Sequence, residues 1–441
     1  MGVVEQFRSA ASELVARSAL ARWAGKTFGD KRDMYEALGY KRDLTVQDYR
    51  SRYERGGVAG TVVEAKPEAT WREGGEVIEV DESDETTQFE TAWEALNERL
   101  DIWSVFFKTD VLAGLGRYSI ILLGAPGTFD TPLKRLKPDD LAYLWAFAED
   151  DAQIDDLDLE RDSSSPRFSM PNFYTLPQIK TLTGTVTKAH WSRIVHVRAE
   201  GVPDGVLYGP PRMRRVWNYF DDLDKVVGGG SEAFWVRANQ GYVFNLDKEA
   251  RLKPEEKTKM SDQVTEFEHG MRRALKLQGV EVKTLGSDVA DFGPAAEKII
   301  MLISGSTGIP QRLFVGSERG ELSSTQDREN WSDRIDSRRT QYAHPFIVKP
   351  FVQRLVELKT LPAPTTFKTR WPNQITMTET EKADLTVKLT KANQQQGEDV
   401  VTTDEMRDTI WGKQPLSGDQ KQRKPPAPTP DVPPTDNSGI R

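Results

Sequence analysis

Cysteine is absent from the 441 residues of this chain. This absence excludes disulfide bonds, thiolate nucleophiles and cysteine-bound metals, and it fits a protein that folds in a reducing compartment. Long apolar runs are also missing, because blocks such as Ile120 to Leu123 fall far short of the about 20 residues that a membrane-spanning helix needs. The N-terminus lacks a signal-peptide core, and Gln6 stands where a myristoylation motif has Ser or Thr. We therefore expect a soluble protein.

An excess of positive charge is missing as well. The chain has 60 Lys and Arg against 68 Asp and Glu, a net charge of −8. Proteins that hold nucleic acid tightly concentrate Lys and Arg, and no basic recognition helix is visible, which argues against a sequence-specific DNA binder. A mildly acidic surface would let DNA slide past it. The same net charge would also simply keep a protein soluble, so charge alone does not decide between these interpretations.

Hydrophobic periodicity predicts a mixed α+β body of two or three substructures. Apolar residues at helical spacing predict an N-terminal helix from Val3 to Leu14, one long helix from Phe89 to Val111, a helix from Met213 to Val227 that ends at Gly228 to Gly230, and a helix from Met260 to Leu275. Buried or half-buried strands are predicted at Arg117 to Leu123, Tyr143 to Phe147, Phe173 to Leu176 and Ile194 to Val197.

The stretch from Phe292 to Pro345 predicts a helix, a long loop and a second helix. Pro294 suits a first helical turn, Gly305 and Gly308 end the apolar pattern, and Pro310 prevents the helix from resuming. Ser323 and Gln326 have the spacing of a capping box, which predicts the start of the second helix.

The loop between these helices, Gln311 to Leu322, has the length that is typical of functional loops. We expect Leu313, Phe314 and Val315 at its root to pack against the helices. Its polar tip would be formed by Ser317, Glu318, Arg319 and Glu321, with Gly316 and Gly320 as hinges.

This pattern resembles the portal proteins of tailed double-stranded DNA bacteriophages. It consists of FGP, a helix that ends in GIPQRLFVG, a Gly- and Ser-rich stretch and a long polar helix interrupted by proline. Four further blocks follow the order of that family, at residues 110–127, 163–174, 190–197 and 207–220. The resemblance therefore extends from about Phe89 to about Leu361.

The resemblance implies an α+β portal fold, mainly helical with short mixed strands. Its parts would be an N-terminal arm (1–60), a wing (61–208), a stem helix region (209–238), a clip (239–291), a second stem helix (292–307), a tunnel loop (308–322), a wing helix kinked at Pro345 (323–360), crown-like C-terminal helices (361–411) and a disordered Pro-rich tail (412–441). Thr378 and Thr403 are helix-start signals in the crown-like region.

The resemblance also implies a non-enzymatic role. Copies of the chain would form a ring, dodecameric in the virion, at one capsid vertex, after assembly in the host cytoplasm. The ring would be a conduit for packaging and ejection of double-stranded DNA, held non-specifically in transit, and would bind the terminase large subunit, the head-tail adaptor and the major capsid or scaffold protein. No membrane, metal or cofactor is implied.

The implied site residues lie around the tunnel loop. The residues that would face DNA are Arg312, Ser317, Glu318, Arg319 and Glu321. The hinges and caps of the loop would be Gly308, Pro310, Gly316, Gly320, Ser323 and Gln326.

The main alternative is a phage phosphodiesterase that degrades cyclic nucleotide immune signals, since some portal-like sequences are labelled as such enzymes. His190, Trp191 and Ser192 match one H-x-[ST] element of two-histidine phosphodiesterases. That chemistry needs a second such element, and neither His196, His269 nor His344 supplies it. We therefore interpret His190 as a strand or turn residue.

Two further motif-like stretches are weaker signals. Gly25, Lys26 and Thr27 resemble the end of a P-loop, but Leu20 replaces its first glycine. The acidic run from Glu149 to Asp162 has Asp156 where a calcium loop needs glycine, so we expect a solvated acidic loop.

Overall fold

The computed structural model describes residues 33–80, 86–180, 186–202, 205–238, 241–246, 254–268, 280–285, 291–316, 325–372, 379–396 and 401–411. The chain divides into two compact units, Met1–Pro372 and Asn373–Arg441. The predicted N-terminal helix, the P-loop-like stretch, His269 and the Pro-rich tail lie outside the described residues.

The first unit is α+β and mainly helical, as predicted. Capping boxes start two of its helices, because Thr45 pairs with Asp48 and Thr87 with Glu90. Its helices are α1 (Met34–Leu38), α2 (Val46–Arg55), α3 (Gly57–Trp71), α4 (Gln88–Leu100), α5 (Ile102–Leu115), α6 (Trp217–Ala238), α7 (Pro254–Glu268), α8 (Gly293–Thr307), α9 (Arg312–Val315), α10 (Thr325–Arg338) and α11 (Lys349–Glu357).

The predicted long helix from Phe89 to Val111 is two helices, so that prediction was wrong. Asp101 separates α4 from α5 with a left-handed backbone (φ 48°), and its N–H donates to Asn97 O at 2.8 Å. Aspartate is one of the few residues that adopt this conformation readily. The change of direction lets Trp93 on α4 and Phe106 on α5 enter the same core.

A buried strand lies at the centre of the fold. It is β2 (Tyr118–Gly124), every residue of which is buried, and it pairs antiparallel with β3 (Tyr143–Ala148) and β7 (Ile194–Arg198). A second antiparallel sheet has the order β4 (Gln153–Ile154), β5 (Phe173–Lys180) and β6 (Val186–His190). The four strands predicted from the sequence are confirmed, with ends that differ by a few residues.

The two faces of β2 enter different cores because its side chains alternate. Ile121 and Leu123 pack into the core that contains Phe106 and Phe351, whereas Ile120 and Leu122 pack with the second sheet. Two smaller antiparallel pairs complete the described strands, β1 (Glu76–Glu79) with β10 (Phe367–Arg370) and β8 (Gly241–Leu246) with β9 (Val280–Leu285).

The long helix predicted after the loop is continuous over its described part. Between α10 and α11 the segment Arg339–Val348 is π-helical and contains Pro345, the predicted kink site. Proline has no N–H to donate and its ring clashes with the carbonyl four residues earlier in an α-helix, so a wider turn accommodates it.

The acidic run is only partly the solvated loop that we expected. Glu149 is buried and accepts hydrogen bonds from the backbone N–H and the Nε of Arg117, at 2.7 and 2.6 Å. Asp150 and Asp151 pair with Arg50 at 2.7 and 2.9 Å. A match between carboxylates and distant arginines is not visible in the local sequence.

The second unit contains α12 (Glu379–Gln396) and α13 (Thr403–Thr409). The cap of α13 is Thr402, which forms a capping box with Glu405, so the prediction of Thr403 was off by one residue. Thr378 lies outside the described residues. Trp411 Nε1 donates to Thr386 Oγ1 at 3.1 Å and ties the end of this unit to α12.

Candidate functional site

The predicted loop is described only in its first part, up to Gly316. Gly308, Pro310, Arg312 and Gly316 lie on the first side, and Gln326 lies in the first turn of α10. The predicted residues outside the described part of the chain are Ser317, Glu318, Arg319, Gly320, Glu321 and Ser323.

Gly308 ends α8, as predicted. Its backbone is left-handed (φ 70°) and its N–H donates to Ser304 O at 2.8 Å, a common way to close a helix with glycine. Ser304 Oγ then donates to Ile309 O at 2.7 Å, which holds the chain just before Pro310. Gly305 does not end the helix but lies inside it, so this part of the prediction was wrong.

The root of the loop is a short helix, α9, rather than irregular chain. Phe314 packs into a core with Ile303 and Trp217, but Leu313 and Val315 are exposed in the single chain. The expectation that all three side chains pack inward was wrong, because one helical turn can direct only part of its residues to one face.

Helices α6 and α8 form an antiparallel pair. Phe292, just before α8, contacts Phe234 on α6 with ring centroids 5.7 Å apart, and at the other end Ile303 shares a core with Phe220. The predicted break at Gly228 to Gly230 was wrong, since α6 runs through all three glycines. Gly230 allows the pair to approach closely, because a Cβ at this position would overlap the Phe292 ring.

The outer surface of this helix pair carries exposed apolar side chains at two places. Phe234 and Trp235 on α6 are 52% and 70% exposed, and Met301 and Leu302 on α8 are 49% and 51% exposed. Exposed large apolar side chains of this kind can mark a surface that another protein covers.

A buried network of charges joins the start of α6 and the end of α10 to α5 and to the segment after β7. Asp110 is fully buried, and both of its carboxylate oxygens accept hydrogen bonds from Arg338 Nη2, at 2.7 and 2.8 Å. Asp110 Oδ2 also accepts a hydrogen bond from Trp71 Nε1 at 2.7 Å. Arg212 also donates to Asp110, and Arg338 Nε donates to Glu200 at 2.8 Å. We call Asp110, Glu200, Arg212 and Arg338 the charge network.

Burial alone would raise the pKa of Asp110, but Arg338 and Arg212 outweigh burial and hold the pKa below its usual value. Sequence reasoning missed this network. The signal that could have indicated it is an aspartate in the middle of an apolar helical stripe, which needs a cationic partner when buried.

The described histidines have structural roles. His190 Nδ1 lies 2.9 Å from Ser192 Oγ and accepts a hydrogen bond from the Ser192 N–H, so it stabilises the turn after β6. His196 is partly buried, with its ring nitrogens 3.1 Å from Tyr174 Oη and 2.9 Å from Leu207 O. Burial lowers the pKa of both rings, to about 4 for His196.

His190 and His196 therefore do not form a pair of accessible histidines. Within the described ranges, no group of His, Asp and Glu is arranged to hold a metal ion, and no helix is long and apolar enough to cross a membrane.

The family model described as "Phage portal protein" matches residues 47–395 of this chain. Comparison with curated proteins finds no match. A chain from the neck of an empty gene transfer agent particle has a TM-score of 0.52 at 14% identity, with 84% of this chain and 94% of that chain covered. A chain from the native gene transfer agent virion has a TM-score of 0.50 at 13% identity, with 85% and 95% covered.

An HK97 family phage portal protein from Corynebacterium diphtheriae has a TM-score of 0.37 at 10% identity, with 75% of this chain and 97% of that chain covered. That TM-score is too low to support a conclusion. At the identities of the first two structures, the similarity shows a shared fold and no more.

Proposed function

The chain belongs to the phage portal protein family, and from this premise we propose that its copies close into a ring that conducts DNA through one vertex of the capsid. Membership makes it a structural protein of the virion and not an enzyme. The phosphodiesterase alternative also lacks the second histidine element that its chemistry needs. The single observation that carries the proposed ring is the family match over residues 47–395.

The helix pair supports this proposal. We assign α6 and α8 to the stem, and the apolar side chains of Phe234, Trp235, Met301 and Leu302 to contacts between neighbouring copies. In a ring each copy presents two different surfaces to its neighbours, and such contacts close when their rotation permits. Burial of these side chains would stabilise the ring by the hydrophobic effect.

The remaining parts of the ring are assigned in the same way. Residues 239–291, where β8 pairs with β9 and α7 lies between them in sequence, would form the clip that binds the terminase large subunit and the head-tail adaptor. The wing would contact the major capsid or scaffold protein. The strand β10 lies within the proposed C-terminal region 361–411 but belongs to the first unit, where it pairs with β1.

Substitution of Trp235 tests the assignment of the stem. We expect Trp235→Glu to prevent ring closure, because the substitution places a charge in the middle of an apolar contact. Leu157→Glu is the matched control, since Leu157 is also highly exposed (79%) but lies outside the helix pair. Light scattering and negative-stain imaging would show rings with an axial hole for the wild type and the control. In the virion these rings would be dodecameric. Rings of normal size in Trp235→Glu would remove the stem assignment.

We further propose that the tunnel loop contacts the DNA in transit. Arg312 and Arg319 would make transient phosphate contacts, whereas Glu318 and Glu321 would repel the duplex and Ser317 would add a neutral polar contact. Gly308, Pro310, Gly316, Gly320, Ser323 and Gln326 would define the ends and hinges of the loop.

Deletion of Ser317 to Arg319 tests this role. We expect normal rings and capsids but impaired DNA packaging or retention, measured as packaged DNA per particle and as infectivity. A deletion of equal length in the tail, Thr435 to Asn437, serves as the control. Wild-type packaging in the loop deletion would contradict the assignment.

A further inference from the structure

Two adjoining cavities lie beside the charge network, with volumes of about 360 and 550 Å³. Their walls share Lys66 of α3, Glu200 and Gly201 after β7, and Arg334 of α10. The smaller cavity is also lined by Arg212, Arg215 and the C-terminal end of α8, residues 305–309. We call the smaller one the cationic cavity.

Positive charge exceeds negative charge around the cationic cavity. Four cations line it, Lys66, Arg212, Arg215 and Arg334, together with one carboxylate, Glu200. Arg338 lines the adjoining cavity, and Asp110 supplies a second carboxylate through its ion pairs with Arg212 and Arg338. Both carboxylates are already engaged by Arg338 and Arg212. Excess charge of one sign in a partly buried site is unfavourable unless an opposite charge compensates it.

The excess of positive charge is visible at two side chains, Lys66 and Arg212. Burial lowers the pKa of Lys66 below its ordinary value. The nearby cations Arg212, Arg338 and Arg334 lower it further, whereas Glu200 raises it. The Arg212 side chain is only 7% exposed, and its Nε is buried without a hydrogen-bond partner among the described residues. A buried donor without an acceptor costs about 1–3 kcal/mol, so an acceptor bound at this position would be stabilising.

We propose that the cationic cavity binds a small oxyanion, either phosphate or the carboxylate of a neighbouring copy. Phosphate and carboxylate oxygens accept hydrogen bonds from Lys and Arg and neutralise their charge. A cavity of about 360 Å³ admits such a group but is too small for a DNA duplex. The bound anion would bridge α3, α10 and the end of α8, and would thereby fix the root of the loop that begins at Ile309.

Titration of the dilute full chain with sodium phosphate tests this inference. The titration is followed by calorimetry at constant ionic strength, with chloride as the exchanged anion. We expect one saturable site per chain, with affinity at least tenfold lower in Lys66→Met and in Arg334→Gln. Arg334 is exposed, so its substitution should leave the fold intact, and the equally exposed Arg328 on the same helix gives the control Arg328→Gln.

Hydrogen exchange supplies a local measurement. Phosphate should slow exchange of the backbone amides of residues 305–309 in the wild type and in Arg328→Gln, but not in Arg334→Gln. No saturable heat, or equal affinity in the wild type and all three variants, would overturn the inference.

The same titration on assembled rings identifies the source of the anion. If phosphate no longer binds in rings, the carboxylate of a neighbouring copy occupies the cavity, whereas continued binding assigns free phosphate. The site is complete within one chain, so a chain that forms no rings would contradict the proposed function while the dilute titration still decides the inference.

Discussion

Removal of the Asp110 carboxylate is the sharpest test of how this fold is held together. Asp110→Ala would leave Arg338 and Arg212, whose side chains are only 3% and 7% exposed, without their buried counter-charge. Removing one partner of a buried ion pair typically costs about 3–5 kcal/mol, chiefly because the remaining charge stays buried. Loss of the hydrogen bond to Trp71 Nε1 adds to this effect.

Urea unfolding followed by tryptophan fluorescence measures this loss. The control is Glu76→Ala, because Glu76 and Arg370 form an exposed pair at 3.4 Å whose loss should cost only about 0–1 kcal/mol. We expect Asp110→Ala and Arg338→Met to combine non-additively, with a smaller loss in the double variant than the sum of the single losses. A loss below about 1 kcal/mol for Asp110→Ala, or strict additivity, would refute the reasoning.

The pH dependence of stability gives a second measure of the same interaction. Because the pKa of Asp110 is lower in the folded than in the unfolded state, its contribution is present above the unfolded pKa and is lost as the pH falls through the folded pKa. The wild type should therefore lose more stability than Asp110→Ala on acidification below about pH 4.

The remaining predictions concern the helix pair and the partly buried His196. Gly230→Ala should destabilise the chain by about 1–3 kcal/mol in urea unfolding, since the added methyl group overlaps the Phe292 ring. The control is Gly229→Ala, whose methyl group meets open space and should stabilise α6 by up to about 1 kcal/mol. Equal effects would contradict the close contact. Burial lowers the pKa of His196 from 6.5 to about 4, so the unfolded state binds the proton first and stability should fall as the pH drops from 6.5 to 4. His196→Gln should remove that slope, which amounts to about 1.4 kcal/mol per pH unit at most, and an unchanged slope would assign it to other groups.

Local patterns in the sequence predicted those elements whose ends carry their own chemistry. The aliphatic strand Tyr118–Gly124 between two glycines and the helix Gly293–Thr307, with Pro294 at its start and Gly308 at its end, were confirmed because backbone conformation and burial there depend on neighbouring residues. The errors arose where a residue permits two outcomes. Asp101 can continue a helix or break it, and Gly228 to Gly230 can end a helix or pass through it.

The fold class, the family and the order of the elements follow from the sequence, because periodicity, caps and short ordered motifs are local properties of the chain. The path of α6 through its glycines against Phe292, and the meeting of Asp110 with Arg212 and Arg338, became visible in the three-dimensional fold. Asp110 and Arg212, for example, are 102 positions apart in the sequence. Such pairings depend on which helix faces meet in space, and no local pattern of residues specifies them.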